Sequence, residues 1–405
     1  MNSADRTCKV NLVWPLLALV ACSLSQAVRS AQLVDVLQPF VDRHELAGAV
    51  MLVASKDSVL SLEAVGYADV AAQKPMQTNA LFWIASMSKP IAATALMMLV
   101  DEGKVGLDDP VEACLPQFKP LIIAATADGT QVRLQKPRHA ITVRDLLSHT
   151  SGIPFSSSVE APTLDVLPLA ARVRSYAMQR LMFEPGRDYS YSNAGINTAA
   201  RIVEVVSGMP YEDYLQQRLF APLGMTDTTF WPSEGQLARL ATSYKADATS
   251  TGLLATPITQ LRYPLADRAR RFAVPAGGLF STAADLAKFC QMILNGGILG
   301  GKRYLSEAAV REMSHNQLPG DVTGVRFGPA EPSGYGLGWL IESAGAFGHT
   351  GAYSTNMRID PKHELITIWL VQHANFPGNG GKSRAAFEDA AQKQFASFRD
   401  GLNTK

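Results

Sequence analysis

The stretch Trp83-Ile84-Ala85-Ser86-Met87-Ser88-Lys89-Pro90 places a serine and a lysine three residues apart, at the start of an apolar segment. Residues 90–100 are apolar on every side and are followed by Glu102-Gly103, which predicts a helix buried all round with glycine as its stop. Pro90 fits the first turn, where its missing N–H is not needed. Because residues three apart on a helix share a face, Ser86 and Lys89 are predicted to lie side by side.

This pair of residues has the chemistry of an activated nucleophile. A serine hydroxyl attacks poorly until a neighbour takes its proton, and a lysine can take it when burial lowers the lysine pKa. The backbone N–H groups at a helix start also favour developing negative charge. The pattern S-x-x-K is expected by chance about once or twice in a chain of this length. It occurs once here, at the start of the predicted helix.

A second candidate is Tyr191-Ser192-Asn193, the only Y-x-N tripeptide of the chain, which precedes a helical stretch beginning at Ala194. A tyrosine hydroxyl near the serine can relay its proton and later deliver it to a leaving group. Asn193 offers both a donor and an acceptor for orienting a substrate. Taken alone, the tripeptide is better explained as a turn followed by a helix cap.

A third candidate is His349-Thr350-Gly351, which lies in a strand pattern. Glycine inside a strand often marks close approach of the backbone to a ligand. An edge strand with this tripeptide can offer a backbone N–H to an oxyanion, and the N–H of Ala352 is the predicted donor, with that of Ser86 as the second. A lone histidine in a strand is more often a packed or surface residue.

Taken in order, these three motifs resemble the signature elements of the β-lactamase and penicillin-binding-protein superfamily, most closely its class C-like branch. Three further stretches look like the same family, so the resemblance spans nearly the whole chain beyond the N-terminal segment: residues 146–154, 221–225 and 277–282. His149 belongs to the first of these stretches, and we expect it to be a structural turn residue and not a catalyst.

The resemblance implies an α/β (α+β) sandwich of the β-lactamase/transpeptidase type, with a central antiparallel sheet flanked by helices and a mainly helical inserted region. Strand patterns near both ends agree with one sheet built from both termini, and they cover residues 49–54, 59–66, 336–342, 346–360 and 364–372. Helical patterns cover residues 33–44 and 382–398. We predict one domain over residues 32–400, with a sheet subdomain (32–120 plus 270–400) and a helical subdomain (121–269).

The family also implies an acyl-enzyme mechanism without a cofactor or a metal. Ser86 attacks a carbonyl, Lys89 and Tyr191 handle its proton, two backbone N–H groups hold the oxyanion, and water then releases the acyl group. The implied partner is a small-molecule or peptide-like acyl substrate. Residues Asn193, His349, Thr350, Gly351 and Ala352 are the predicted binding residues.

The third motif departs from many family members, which carry lysine where this chain has His349. An unperturbed histidine has a pKa of about 6.5 and attracts a carboxylate weakly at neutral pH. The substitution favours a carboxylesterase or a D-amino-acid amidase or peptidase over a β-lactamase or D-alanyl-D-alanine carboxypeptidase. It also predicts that activity on carboxylate-bearing substrates rises as the pH falls through the titration of His349.

A protein of another class remains an alternative, namely a non-hydrolytic cell-wall or β-lactam sensor on the same scaffold, because a fold alone does not settle function. Retention of Ser86, Lys89 and Tyr191 favours the enzyme. The net charge of +1, with 18% charged and 47% hydrophobic residues, is typical of a globular protein, and nothing in it indicates a nucleic-acid partner. Cys114 and Cys290 lack metal-ligand spacing, and whether they pair is left open.

Residues 1–31 have the pattern of an export signal, with Arg6 and Lys9 before an uncharged apolar run from Leu12 to Ala21. This run is too short for a membrane span, which needs about 20 residues. The segment Leu19-Val20-Ala21-Cys22 also resembles a lipoprotein signal, in which Cys22 would carry a membrane tether. We therefore predict an exported protein, periplasmic or secreted, with simple cleavage near residues 27–31 slightly favoured over lipidation.

Overall fold

The computed structural model describes residues 33–127, 131–320, 322 and 334–396. The elements of its first half are α1 (residues 33–42), β1 (Gly48–Ser55), β2 (Val59–Asp69), β3 (Lys74–Pro75), β4 (Phe82–Trp83), α2 (Ser88–Asp101), α3 (Val111–Cys114), β5 (Ile123–Ala127), β6 (Gln131–Gln135), α4 (Val143–Leu147), α5 (Leu169–Tyr176) and α6 (Asn193–Ser207). Those of its second half are α7 (Tyr211–Leu215), α8 (Ala221–Leu223), α9 (Glu234–Leu237), β7 (Tyr244–Ala246), β8 (Leu253–Ala255), β9 (Phe280–Ser281), α10 (Ala283–Leu294), β10 (Ile298–Leu299), β11 (Lys302–Arg303), α11 (Glu307–Met313), β12 (Gly334–Tyr335), β13 (Leu340–Ile341), β14 (Phe347–Thr350), β15 (Asn356–Asp360), β16 (Leu365–Leu370) and α12 (Ser383–Ala391).

An antiparallel sheet of eight strands forms the centre of the molecule, in the order β12-β13-β14-β15-β16-β1-β2-β3. Strand β1 pairs with β16 on one side, with Val50 opposite Leu370, and with β2 on the other side, with Val50 opposite Ala64. The sheet is therefore built from both ends of the domain, as the strand patterns predict.

Helices cover both faces of this sheet, and all eight residues of β1 are buried. The side chains of Met51 and Val53 belong to the apolar cluster that contains Phe387 of α12. Val50 and Leu52, on the opposite face, belong to the larger core that contains α2 and α10. This alternation is the expected pattern for a strand with helices on both sides. The predicted sandwich with an antiparallel sheet is confirmed.

Helix α2 carries the Ser-Lys motif through the core. Every residue from Ser88 to Leu99 is buried, as the apolar composition of this stretch predicts. Helix α6 packs against α2 and begins at the second motif, where the Ser192 side chain accepts a hydrogen bond from Gly195 N–H and caps the helix. The division into two subdomains stays a prediction.

Three of the expected elements differ from the structure by more than a few residues at their ends. Residues 346–360 form two strands, β14 and β15, because the chain reverses at 351–355, where Gly351 N–H donates to Thr355 O at 2.8 Å. The pattern over 336–342 is interrupted by a turn at Gly338, which has φ of +80°, so that only Leu340–Ile341 is extended there. Helix α12 ends at Ala391 and continues as a π-helical turn to Ala396.

Both cysteines within the described ranges have unpaired thiols, which answers the question left open by the sequence. Cys290 is fully buried in α10, where burial raises the pKa of its thiol. In the part of the chain that the structure describes, no helix is long and apolar enough to cross a membrane. The predicted export signal and Cys22 lie outside the described residues.

Candidate active site

Ser86 lies in a single 3₁₀ turn, Ala85–Met87, which leads directly into α2. Ala85 has φ of +46°, a left-handed conformation that is uncommon for alanine. The buried Ser88 hydroxyl stabilises this turn, because it donates to Ala85 O at 2.7 Å and accepts from Leu279 N–H at 3.3 Å. Ser86 is partly exposed, whereas its neighbours on both sides are buried. The turn therefore presents one hydroxyl at the surface of a rigid core.

Lys89 lies beside this hydroxyl, as the spacing predicts. Its Nζ is 3.0 Å from Ser86 Oγ and donates to Ala276 O at 2.8 Å. The side chain is fully buried, and burial lowers the pKa of Lys89 well below its usual value. A lysine that loses its proton easily can accept the proton of a serine hydroxyl.

Tyr191 completes the group. Its hydroxyl is hydrogen-bonded to Ser86, and the Lys89 Nζ lies 4.6 Å from the centre of its ring. Burial raises the pKa of Tyr191, so the phenol stays protonated. The backbone at Tyr191 is fixed by its neighbour, because Ser192 N–H donates to His149 Nδ1 at 3.2 Å and the Ser192 hydroxyl donates to Pro154 O at 2.9 Å. The structure thus brings Ser86, Lys89 and Tyr191 together.

Asn193 is the first residue of α6 and is 7% exposed. Its Oδ1 is buried and accepts no hydrogen bond within the described part of the chain. A buried amide oxygen without a donor is costly, which is consistent with a site that a bound molecule completes.

His349 faces the interior, where it is 1% exposed. Its Nδ1 lies 2.8 Å from Thr350 O and must carry the proton, because a carbonyl oxygen can only accept. The Nε2 then accepts a hydrogen bond from Tyr335 OH at 3.2 Å. Burial and the nearby Lys89 lower the pKa of His349 to about 3. The prediction that His349 titrates between mildly acidic and neutral pH is therefore wrong for this environment, because the imidazole stays neutral there.

Gly351 brings the end of β14 against the nucleophile turn. A Cβ on this glycine would lie 2.6 Å from Ile84 O and 2.1 Å from Thr355 Oγ1. Thr350 is partly exposed, and Ala352 lies exposed in the turn after the strand. Among the backbone hydrogen bonds of the described turns and loops, none has the N–H of Ser86 or Ala352 as its donor. Their role as oxyanion donors stays a prediction.

His149 has φ of +62°, which agrees with the expected turn residue, but its side chain also lies in the site. The His149 ring is 4.5 Å from the ring of Tyr191 and 4.6 Å from that of Tyr335, measured between centroids. Burial, together with the nearby charge of Lys89, lowers the pKa of His149 well below its usual value. Sequence reasoning did not find this second neutral histidine at the site, nor the roles of Tyr335 and Ala276. The family-like stretch 146–154 was the available signal for His149.

Within the described ranges, no group of three or more His, Cys, Asp or Glu side chains could hold a metal ion. The arrangement instead holds a serine hydroxyl, a low-pKa lysine and a protonated tyrosine in mutual contact. This arrangement can perform acyl transfer through a covalent serine intermediate.

The fold and this site define a serine hydrolase of the β-lactamase superfamily. The Beta-lactamase family model matches residues 33–391, so the chain belongs to this family.

Three curated relatives illustrate the range of the family. Protein Rv1367c of Mycobacterium tuberculosis is 33% identical over 359 residues, which cover 82% of this chain and 87% of that protein. Penicillin-binding protein 4* of Bacillus subtilis is 29% identical and covers 81% of this chain and 68% of its own length. Esterase EstB of Burkholderia gladioli is 28% identical, over 91% of this chain and 97% of its own length.

Among solved structures, EstCE1, described as a hydrolase with promiscuous acyltransferase activity, superposes with a TM-score of 0.73. It is 26% identical in sequence, and the match covers 92% of this chain and 99% of that one. The family match over residues 33–391 spans the positions of all three motifs of this chain.

Proposed function

We propose that this protein hydrolyses carboxylic esters through an acyl-enzyme on Ser86. One observation carries the proposal, namely the fully buried Lys89 with its Nζ 3.0 Å from Ser86 Oγ. In the described part of the chain, burial is the one cause that shifts the pKa of this lysine, and no carboxylate opposes the shift. The lowered pKa makes the lysine give up its proton more readily, and in this proposal the neutral amine serves as the base.

The residues support a reaction in two stages. Lys89 takes the proton from Ser86 Oγ as the oxygen bonds to the ester carbonyl carbon, and the N–H groups of Ser86 and Ala352 bind the oxyanion. Tyr191, protonated and hydrogen-bonded to Ser86, donates its proton to the departing alcohol and recovers one from Lys89. Water then attacks the acyl-enzyme, with the same two side chains acting in reverse, and releases the acid.

An ester is favoured over a substrate that carries a carboxylate because His349 is neutral. A pKa of about 3 leaves the imidazole uncharged over the physiological range, so the third motif supplies no cation for a carboxylate. The surroundings of Tyr191 are also apolar. The ring of Phe155 stacks near that of Tyr191, with centroids 6.3 Å apart, and this side chain is 49% exposed. Met182, which is 59% exposed, lies against Ser190.

Ester hydrolysis is favoured over hydrolysis of a D-amino-acid amide, because an ester needs no group that binds a charged amine or carboxylate. The β-lactamase, carboxypeptidase and sensor alternatives stay predictions.

We also propose that the protein is exported, on the pattern of residues 1–31. Mass measurement of the mature protein from the native host tests this proposal, because an unprocessed N-terminus contradicts it.

Turnover of three substrate classes tests the function. The wild type and Ser86→Ala are assayed with a short p-nitrophenyl ester, a chromogenic cephalosporin and a peptide ending in D-alanyl-D-alanine. We expect Ser86-dependent release from the ester and much slower or no release from the two carboxylate-bearing substrates. Faster turnover of the cephalosporin or the peptide than of the ester contradicts the proposal.

A further inference from the structure

The backbone of Ala276 links the catalytic lysine to helix α6. Its carbonyl oxygen accepts from Lys89 Nζ at 2.8 Å, and its N–H donates to Asn197 Oδ1 at 3.0 Å. Ala276 is fully buried. Within the described residues, the Lys89 amine donates hydrogen bonds to this carbonyl and to Ser86 Oγ. The position of Ala276 therefore decides the direction in which the lysine amine points.

The orientation of the Asn197 amide is fixed by its two partners. A backbone N–H can only donate, so the atom facing Ala276 is the amide oxygen. The amide nitrogen then donates to Tyr176 OH at 3.0 Å, and that phenol donates to Glu160 Oε1 at 2.6 Å. The side chains of Asn197 and Tyr176 are 1% exposed and that of Glu160 is 6% exposed. A continuous buried chain of hydrogen bonds thus runs from Glu160 to Lys89, and each donor in it meets an acceptor.

The segment 274–279, which contains Ala276, is held on the side of α2 as well. The indole N–H of Trp83 donates to Gly277 O at 2.7 Å, and Leu279 N–H donates to Ser88 Oγ at 3.3 Å. Both Gly277 N–H and Gly278 N–H donate to Val274 O, which closes a tight turn. The N–H of Ala276 itself donates to the Asn197 side chain.

We infer that Asn197, oriented by Tyr176 and Glu160, is a positioning residue that holds the Ala276 carbonyl on Lys89 and so fixes the catalytic amine against Ser86. The inference rests on the proposed role of Lys89 as the base. Asn197 touches neither the substrate nor the reacting atoms and acts through the peptide backbone.

Loss of the hydrogen bond between Asn197 and Ala276 should change the pKa of Lys89 in a definite direction. A carbonyl dipole stabilises the ammonium form, so a displaced Ala276 carbonyl lowers the pKa of Lys89 further. The titratable groups that surround Lys89 are Tyr191 just before α6, His149 after α4 and His349 on β14. Burial keeps these three neutral near pH 7. Around Asn197 the corresponding groups are Glu160, Tyr176 and the buried Arg172.

The test measures the rate at which an alkyl fluorophosphonate labels Ser86, by intact mass, as a function of pH. In this reaction Ser86 Oγ bonds to phosphorus, fluoride leaves, and Lys89 takes the hydroxyl proton, so no ester substrate needs to be known. We expect Asn197→Leu to label roughly tenfold more slowly or worse, with the acid limb of the rate profile about one pH unit lower. Asn197→Asp retains an acceptor for Ala276 N–H and should restore most of the rate, with the limb at or above its wild-type position.

Thr198→Val is the matched control. Thr198 is the next residue of α6 and is also fully buried, but its hydroxyl donates only to Ala194 O of the same helix. We expect wild-type labelling from this variant. If Asn197→Leu does not fold, Tyr176→Phe, which removes the acceptor of the Asn197 amide nitrogen, should shift the profile in the same direction.

The outcomes separate this inference from the proposed function. Failure of the wild type to label, or equal labelling of Ser86→Ala, refutes the proposed function. A labelled wild type with an Asn197→Leu variant of the same rate and pH profile overturns the positioning role. Slower labelling with an unshifted limb and no rescue by Asn197→Asp also overturns it, because that result indicates general loss of packing.

Discussion

Replacement of Gly351 by alanine should separate the end of β14 from the nucleophile turn. The backbone of Gly351 has a conformation that alanine adopts freely, so the effect is steric. The added Cβ lies 2.6 Å from Ile84 O, and ordinary van der Waals contact begins at 3.4 Å. The strand end and the turn must therefore move apart by about 0.8 Å. Thr355, whose Oγ1 is 2.1 Å from the new atom, has to change its rotamer as well.

A displacement of this size lies next to both proposed oxyanion donors, Ser86 N–H and Ala352 N–H. Misplacement of reacting groups by about 1 Å can cost about a hundredfold in rate, so we expect kcat/KM to fall roughly 10- to 100-fold, mainly in kcat. Overpacking should also lower stability by about 1–3 kcal/mol.

The assay measures kcat and KM with a p-nitrophenyl ester, and the Tm of each variant. Gly235→Ala is the control, because an added Cβ there meets nothing within 4 Å and Gly235 lies in helix α9. Gly351→Ala combined with Thr355→Ala relieves the contact with Thr355 but not the contact with Ile84 O, so it should recover stability more than rate. A Gly351→Ala variant within twofold of wild-type kcat/KM would refute the reasoning.

Three further predictions concern two buried histidines, the buried Asp165–Arg271 pair and the exposed Phe155 beside Tyr191. Burial lowers the pKa of His349 and of His373 to about 3, below the value of about 6.5 in the unfolded chain. The unfolded state therefore binds more protons, and stability should fall below pH 6.5 by up to about 1.4 kcal/mol per pH unit for each histidine. Urea unfolding at pH 7 and pH 5 measures this loss, His373→Gln should reduce it, and an unchanged loss in that variant contradicts the assignment. Asp165→Asn, which leaves the buried Arg271 without its carboxylate at 2.6 Å, should destabilise the protein by about 3–5 kcal/mol, measured in the same way; a loss below about 1 kcal/mol argues against it. Phe155→Ala should raise KM for aromatic esters several-fold and leave acetate esters nearly unchanged, whereas equal effects on both would argue against an apolar contact.

Much of the fold was predictable because its signals are local. The all-apolar composition of residues 90–100 identified helix α2, and the patterns over 49–54 and 59–66 identified β1 and β2. The reversal between β14 and β15 was missed because the residues around it continue the strand-like composition. The turn depends on Gly351 and Thr355 pairing across it, which no short window of sequence reveals.

In the active site, too, features with a local sequence signal were predicted, and features that depend on distant contacts were missed. The three motifs identified Ser86, Lys89 and Tyr191, and the structure places them in contact. The state of His349 was predicted wrongly, because its pKa depends on complete burial and on the charge of Lys89, which comes from a distant part of the chain. Asn197 and Ala276 were missed for a related reason. Ala276 acts through backbone atoms, and Asn197 contacts it only across the packed core.

The central claim, an acyl-enzyme on Ser86 formed with the help of Lys89, is tested most directly by rapid-quench intact-protein mass spectrometry. The wild type, Ser86→Ala and Lys89→Met are mixed with a p-nitrophenyl ester and quenched within the first turnover. We predict that the wild type gains the mass of one acyl group, mapped by peptide digestion to Ser86, and that both variants gain none at that time. Undiminished ester turnover by Ser86→Ala, or an acyl group mapped to another residue, would contradict the account.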